Sequence, residues 1–468
     1  MIKIPAFIDS HLHFLGMGYV AYLYDLKGFG SIEALIKTIK NKPSSSQIIG
    51  RGWNQEHFKE QRMLNKHDLN QISQTIPVVM IRTCGHVLVV NDKMLEMAKI
   101  DASTVYHGTG AIDFELGIFS EDAIHLIYEA YPTPTKEDLI KYLVKANQIC
   151  LANGITHVAS DDFQIFPIPF EDIIDLFNEC YEKDLIQVRV VEQANMRTLA
   201  MLQRFIAKGY VNKNFGKWRM GPLKLLADGS LGGRTALLKE PYSDDSTNRG
   251  IQTYANNDLY DMVALAEQHG MDVVIHAIGD HAIDLATDAI IHALEKSKRV
   301  DHCHAIIHAQ LATVAQIKRM KAYNIGAIIQ PIFLNSDIEM VVQRIGERSK
   351  EAYLFKSMDT LGLPVGFSTD TPIENVNPFE NIYCAVSRKS IDHPTLDSYL
   401  PQEGYTVEAA LSCYQERNLR YVYLDTLHDE IILDKDPRLC SVEELKNIKV
   451  LKTFIDGKMV FQETQWND

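Results

Sequence analysis

The chain has little of what would place it on a nucleic acid, in a membrane or among secreted proteins. Its 468 residues include only 7 cysteines, an odd number scattered without Cys-x-x-Cys spacing, which speaks for reduced thiols in a cytoplasmic protein. No stretch reaches the roughly 18 apolar residues that a membrane span needs. Met1-Ile2-Lys3-Ile4-Pro5 leaves no room for a signal peptide before the first apolar run. Basic residues are in deficit: 47 Lys and Arg against 61 Asp and Glu give a net charge of -14 and a pI near 5.7, so no nucleic-acid partner is expected. There is no Gly-x-Ser-x-Gly elbow for a serine nucleophile, no Walker loop and no dinucleotide fingerprint. Internal repeats and low-complexity tracts are absent too.

What the chain does have is His11-Leu12-His13, closing the apolar run Ala6-Phe7-Ile8-Asp9-Ser10. In an extended strand, side chains at i and i+2 share a face, so both imidazoles can reach one metal ion. With 17 histidines in the chain, such a pair standing alone would be read as chance. Further candidates stand at or just beyond the ends of short apolar runs: Lys224, His276, His308 and Asp370. Four histidines, a lysine and a carboxylate offer nitrogen and oxygen donors suited to a borderline divalent metal such as zinc. Cys303 between His302 and His304 resembles a ligand cluster, but these histidines are read as barrel-bottom or loop residues.

Eight strand candidates can be marked, at residues 6–11, 155–160, 187–193, 221–226, 272–277, 304–309, 325–330 and 364–369. Most are continuous Val/Ile-rich runs, as in strands covered on both faces, and patterns of helical period follow them. An α/β fold of the (β/α)8 barrel type is expected, with reactive side chains at the C-terminal ends of its strands. Residues 6–27 and 136–400 are assigned to the barrel. Residues 28–135 form an insertion after the first strand, too large for a barrel loop and placed to shape a pocket or lid. Residues 401–468 form a C-terminal β region, in which 430–434, 450–455 and 458–461 read as strands and Asp456-Gly457 as a hairpin turn.

In these segments the chain resembles the amidohydrolase superfamily, in the branch containing N-substituted formamide deformylase. The resemblance is carried in order by Phe7 to His13, Gly52-Trp53-Asn54, Gly85-His86 with Asn91, Gly154-Ile155-Thr156, Leu223-Lys224 through Asp228 to Ala236, His276 to Asp280, His308-Ala309-Gln310 and Ser368 to Pro372. It implies two divalent ions, zinc by default, with iron, manganese or nickel possible. One ion would be held by His11, His13 and Asp370, the second by His276 and His308, with a carboxylated Lys224 bridging them. The alternative is an unmodified Lys224 paired with Asp228 or Asp370 beside a single metal. On the two-metal reading, water activated by the metals attacks an amide, formamide or cyclic amide of a small-molecule substrate. Asp370 carries the proton to the leaving nitrogen.

Trp53 and His86 on the insertion, Ser230 and Arg234 in the glycine-rich loop Asp228–Thr235, and Gln330 are the candidate substrate contacts. Trp53 as core of the inserted region and His86 as an ordinary surface residue are the alternatives. A single-metal deaminase is disfavoured, because Gly279 stands where those relatives carry an acidic residue. A non-catalytic regulatory barrel is disfavoured by the complete ligand set. In relatives the C-terminal strands pair with strands that precede the barrel in a small β-sandwich. Those leading strands are expected to be missing here, leaving a truncated sandwich whose exposed hairpin would favour a homodimer.

Overall fold

A computed structural model describes residues 1–41, 47–82, 85, 87–106, 110–120, 123–131 and 133–463. The chain forms two compact units, one of Met1–Gly18 with Lys136–Asp468 and one of Tyr19–Thr135. The strands in chain order are β1 (Ile2–Pro5), β2 (Phe7–Leu12), β3 (Tyr24–Asp25), β4 (Ile48–Trp53), β5 (Val78–Arg82), β6 (Val87–Val90), β7 (Ala111–Asp113), β8 (Ile118–Ser120), β9 (Ile155–Ser160), β10 (Arg189–Asn195), β11 (Arg219–Leu226), β12 (Val273–Ala277), β13 (Ala305–His308), β14 (Gly326–Ile329), β15 (Val365–Phe367), β16 (Glu430–Leu433), β17 (Val450–Ile455) and β18 (Lys458–Gln462).

In the first unit, β2 and β9 to β15 form an eight-stranded sheet in which each strand lies beside its sequence neighbour, and every paired register is parallel. Helices such as Phe170–Glu182, Leu199–Ala207, Asp280–Ser297 and Pro378–Ser387 follow strands and return the chain. This is the (β/α)8 pattern expected from the runs. Outward side chains such as Val190 and Ile275 pack under the helices. Inward ones such as Ile8, Ala159 and Val191 pack on Val422, while Ile307 and Ile328 pack on Tyr421. The turn Glu416–Tyr421 therefore plugs the barrel from below, and glycines make room for it. A Cβ on Gly366 would lie 2.2 Å from Asn418 Oδ1, and one on Gly326 2.2 Å from the Tyr421 hydroxyl oxygen.

The sheet closes where β2 meets β15, and there side chains replace a regular ladder. Ser10 Oγ donates to Phe367 O at 2.8 Å. Asn418 Nδ2 donates to Ile8 O at 2.6 Å and Phe367 O at 2.7 Å, spanning the seam from inside. Thr369 donates to the Asp9 carboxylate through its backbone N–H at 3.1 Å and its hydroxyl at 2.7 Å. Beyond the strand ends, Asp370 N donates to His11 O at 2.9 Å and His13 N to Thr371 O at 2.8 Å.

The strands preceding the barrel, expected to be missing, are represented by one, since residues 2–5 form a strand. β1 pairs antiparallel with β16 in a four-stranded sheet ordered β1-β16-β17-β18. Ile2 and Ile4 alternate with Lys3 and Pro5, enough for one half-buried strand of four residues. The C-terminal strands are thus not left without a partner from the start of the chain. Thr453 Oγ1 donates to Leu151 O at 2.7 Å, and Ile431 and Val450 lie against Gly154. Asp456 and Gly457 turn β17 into β18 with φ of +50° and +75°.

In the second unit, β3, β4 and β5 run parallel and β6, β8 and β7 continue the sheet antiparallel. Alternation along β5 sends Val78 and Met80 to one core and Val79 and Ile81 to another.

Asn418→Ala is expected to lower stability by about 1–3 kcal/mol, because it removes the side-chain donor from the buried Ile8 carbonyl and one of two from that of Phe367. Urea denaturation monitored by circular dichroism reads that loss.

Candidate functional site

Each ligand candidate in the barrel unit lies at the C-terminal end of its strand. His11 is in β2 and His13 follows it, Lys224 is in β11, His276 in β12, His308 ends β13, and Asp370 stands just past β15. The seam bonds bring the first pair to the last residue. His11 Nε2 and His13 Nε2 lie 3.3 and 3.2 Å from the same Asp370 atom, Oδ1. One nitrogen each from His11 and His308 and one oxygen from Asp370 fall within 4.8 Å of one another, and all three residues are buried. The His308 ring packs on that of His276, with centroids 4.4 Å apart. His308, Ala309 and Asp370 have left-handed backbones, with φ of +75°, +47° and +57°.

The imidazole partners fix which nitrogen carries the proton. Gln193 Nε2 donates to Ser10 O at 3.1 Å, so its Oε1 faces His11 Nδ1 at 2.6 Å and accepts from it. Gln330 Nε2 donates to Ile328 O and Ser368 Oγ, so its Oε1 accepts from His308 Nδ1 at 2.7 Å. His13 Nδ1 faces the carbonyl of Asp161 at 2.8 Å, which can only accept. In its neutral form each of the three rings carries the proton on Nδ1 and the lone pair on Nε2. His276 is the reverse, since its Nε2 faces Gly229 O at 3.0 Å and leaves Nδ1 as the acceptor.

The Nε2 atoms of His11 and His13 therefore both point at one carboxylate oxygen. Asp370 Oδ1 is buried without a hydrogen-bond partner. Such an arrangement calls for a cation or a proton between the groups. Burial disfavours charge on His13, yet the Asp370 and Asp161 carboxylates outweigh it and raise its pKa to about 9. Burial holds His11 and His308 below the ordinary histidine value. The donor set, imidazole nitrogens with one carboxylate, fits a divalent ion of the zinc type.

Lys224 is buried, with Nζ 3.4 Å from Asp161 Oδ2, so its partner is neither Asp228 nor Asp370. Asp228 is engaged elsewhere, accepting from the backbone of Leu237, Ile278 and Gly279 at 2.8–3.0 Å. Gly279 has no room for a side chain, since a Cβ would stand 2.0 Å from Leu237 O.

The expected substrate contacts fare differently. Gln330, 1% exposed, orients His308 instead of lining a pocket. Trp53 is fully buried inside the Tyr19–Thr135 unit, donates to Met80 O at 2.9 Å and stacks on Phe58, so it is core. His86 lies outside the described residues. Arg234 pairs in bidentate fashion with Asp244, at 3.2 and 2.9 Å. Ser230 Oγ accepts from Gly233 N at 3.2 Å within its own loop. His304, just before β13, is bound to Glu267 at 3.1 Å and belongs to the barrel bottom. Gln193 and Asp161 were not singled out by the sequence. Both stand near the C-terminal end of a strand candidate, the position that marked the other site residues.

The chain is similar to known proteins over nearly its whole length. The model of the amidohydrolase family matches residues 2–461. The putative amidohydrolase YtcJ of Bacillus subtilis (strain 168) is 30% identical over 484 residues, covering 99% of this chain and 89% of that protein. The N-substituted formamide deformylase of Arthrobacter pascens is 22% identical, covering 98% and 88%. The crystal structure of an uncharacterized metal-dependent hydrolase from Pyrococcus horikoshii OT3 superposes with a TM-score of 0.80 at 29% identity, covering 94% of this chain and 87% of that one.

Removing the acceptor that holds an imidazole frees its ring to turn and its tautomer to change. Gln193→Ala is expected to weaken zinc binding by about 10- to 100-fold while leaving the fold intact. Competition titration with a zinc chelator, alongside circular dichroism, measures both.

Proposed function

The chain belongs to the amidohydrolase family, and from that premise we propose a metal-dependent hydrolase that cleaves a carbon–nitrogen bond in a small amide, formamide or cyclic amide. One observation carries the reading: a buried Asp370 Oδ1 faces the Nε2 atoms of both His11 and His13, at 3.3 and 3.2 Å. His11, His13 and Asp370 would hold one ion, and His276 and His308 a second. Lys224, as its carbamate, would join the two. Zinc is the proposed metal, and iron, manganese or nickel would suit the same donors. When bound, such an ion polarises a carbonyl and makes water acidic enough to lose a proton near neutral pH.

The chain's own residues do the rest. Asp370 takes the proton of the attacking water at a carboxylate oxygen as the new carbon–oxygen bond forms. It returns that proton to the leaving nitrogen as the carbon–nitrogen bond breaks. Gln193 and Gln330 hold the His11 and His308 rings in the tautomer that presents Nε2. The relative named for formamide hydrolysis supports the choice of bond.

Protein stripped of metal and reconstituted with zinc and bicarbonate is to be assayed on a panel of N-formyl and N-acyl amines. Turnover that depends on reconstitution is expected, and failure of the wild type to take up zinc would sink the reading. Asp370→Asn keeps the shape of the side chain but removes the base. Its kcat is expected to fall by about 10²- to 10⁴-fold with little change in KM. A near-normal kcat would move the base to another group, His276 being next in place.

A further inference from the structure

We propose that Asp161 is a metal-ligating residue of this centre, joined to it through Lys224. The inference rests on the reading above, in which Lys224 becomes a carbamate. Asp161 directly follows β9 and is 4% exposed. Its backbone is fastened to the His-x-His pair on both sides. Its N–H donates to Leu12 O at 2.9 Å, and its carbonyl accepts from His13 Nδ1 at 2.8 Å. Its carboxylate faces the barrel axis, where Oδ2 lies 3.4 Å from Lys224 Nζ and accepts from Asn195 Nδ2 at 3.1 Å. Asn195 is the register partner of Lys224 across β10 and β11, and its own Oδ1 is buried without a hydrogen-bond partner.

Five buried aspartates beside the ligand set separate into two kinds. Asp9 accepts from the backbone of His11 and Thr369 and from the Thr369 hydroxyl. Asp162 accepts from Leu15 N and Ser160 Oγ, and Asp228 from three backbone N–H groups. These three are held by neutral protein donors and serve the fold. Asp370 and Asp161 are of the other kind. Asp370 Oδ1 has no backbone, hydroxyl or amide donor among the described residues and faces two imidazole nitrogens, and Asp161 Oδ2 has one amide and one ammonium.

The ammonium is the decisive partner. Conversion of the Lys224 ammonium to a carbamate, by loss of one proton to give the amine and of a second as that amine adds carbon dioxide, replaces a positive end group by a negative one. Asp161 would then face an anion across the same gap, with a single neutral amide to offset it, among buried side chains. A cation between the two carboxylates removes that repulsion and satisfies both. Metal binding by Asp161 and carboxylation of Lys224 are therefore one event, and Asn195 keeps the carboxylate aimed while its charge partner changes.

The test uses the whole protein reconstituted with zinc and bicarbonate. In crystals of that form, an Asp161 carboxylate oxygen about 2.0–2.2 Å from a zinc ion is the expected result. Zinc bound by His11, His13 and Asp370 with Asp161 still paired to a Lys224 ammonium would overturn the inference and leave the proposed hydrolase standing. Wild-type protein that binds no zinc would overturn both. In solution, Asp161→Asn should lose at least 10-fold in affinity for one ion and change the visible spectrum of the cobalt(II)-substituted protein. An unchanged affinity and spectrum would again overturn the inference. If Asp161→Asn does not fold, X-ray absorption and crystallography of the wild type decide the point alone.

Discussion

The seam between β2 and β15 is the constraint on which the site depends. Neighbouring strands elsewhere in the barrel are joined by parallel backbone pairing, which the continuous Val and Ile runs are enough to specify. Here closure rests on Ser10, Asn418 and the Asp9–Thr369 contact, and on two backbone bonds that lie past the strand ends. Those last two bonds belong to His13 and Asp370 themselves. Closing the barrel and bringing the first histidines to the last carboxylate are thus the same act of folding. Asp9 and Ser10 contribute to closure from within the very run that delivers His11.

Electrostatics at the centre follow from who may donate. The neutral side-chain amides of Gln193 and Gln330 and the carbonyl of Asp161 all accept from Nδ1, so the lone pairs turn inward without any added charge. The fold in this way assembles acceptors where an ordinary core would pair a donor with each. That choice raises the free energy of the empty centre and lowers that of a filled one.

Much of this was legible in the sequence, and what was not has a physical reason. Long apolar runs and the strand-end rule placed His11, His13, Lys224, His276, His308 and Asp370, because strand position is a property of local pattern. β1 escaped notice because four residues, Ile2 to Pro5, show too little alternation to distinguish a strand from a lead-in. The motif around Trp53 suggested a ligand contact, but an indole in a β-rich segment is equally at home in a core, and burial cannot be read from a motif. Gln330 and Gln193 are orienting groups whose meaning lies in which atom they face. Only the three-dimensional fold says that Gln193, 182 positions away in the chain, meets His11.

The left-handed backbone at His308, Ala309 and Asp370 sets thermal robustness against reactivity. Side chains other than glycine hold such conformations at a cost of about 1 kcal/mol or more each. Selection for robustness alone would drift these positions toward glycine or asparagine. At His308 either replacement erases the imidazole, and at Asp370 either erases the carboxylate charge. Ala309 bears no donor, so it is the position where relief of strain can be sought without dismantling the centre. Its 0% exposure means the gain is set against a lost methyl contact.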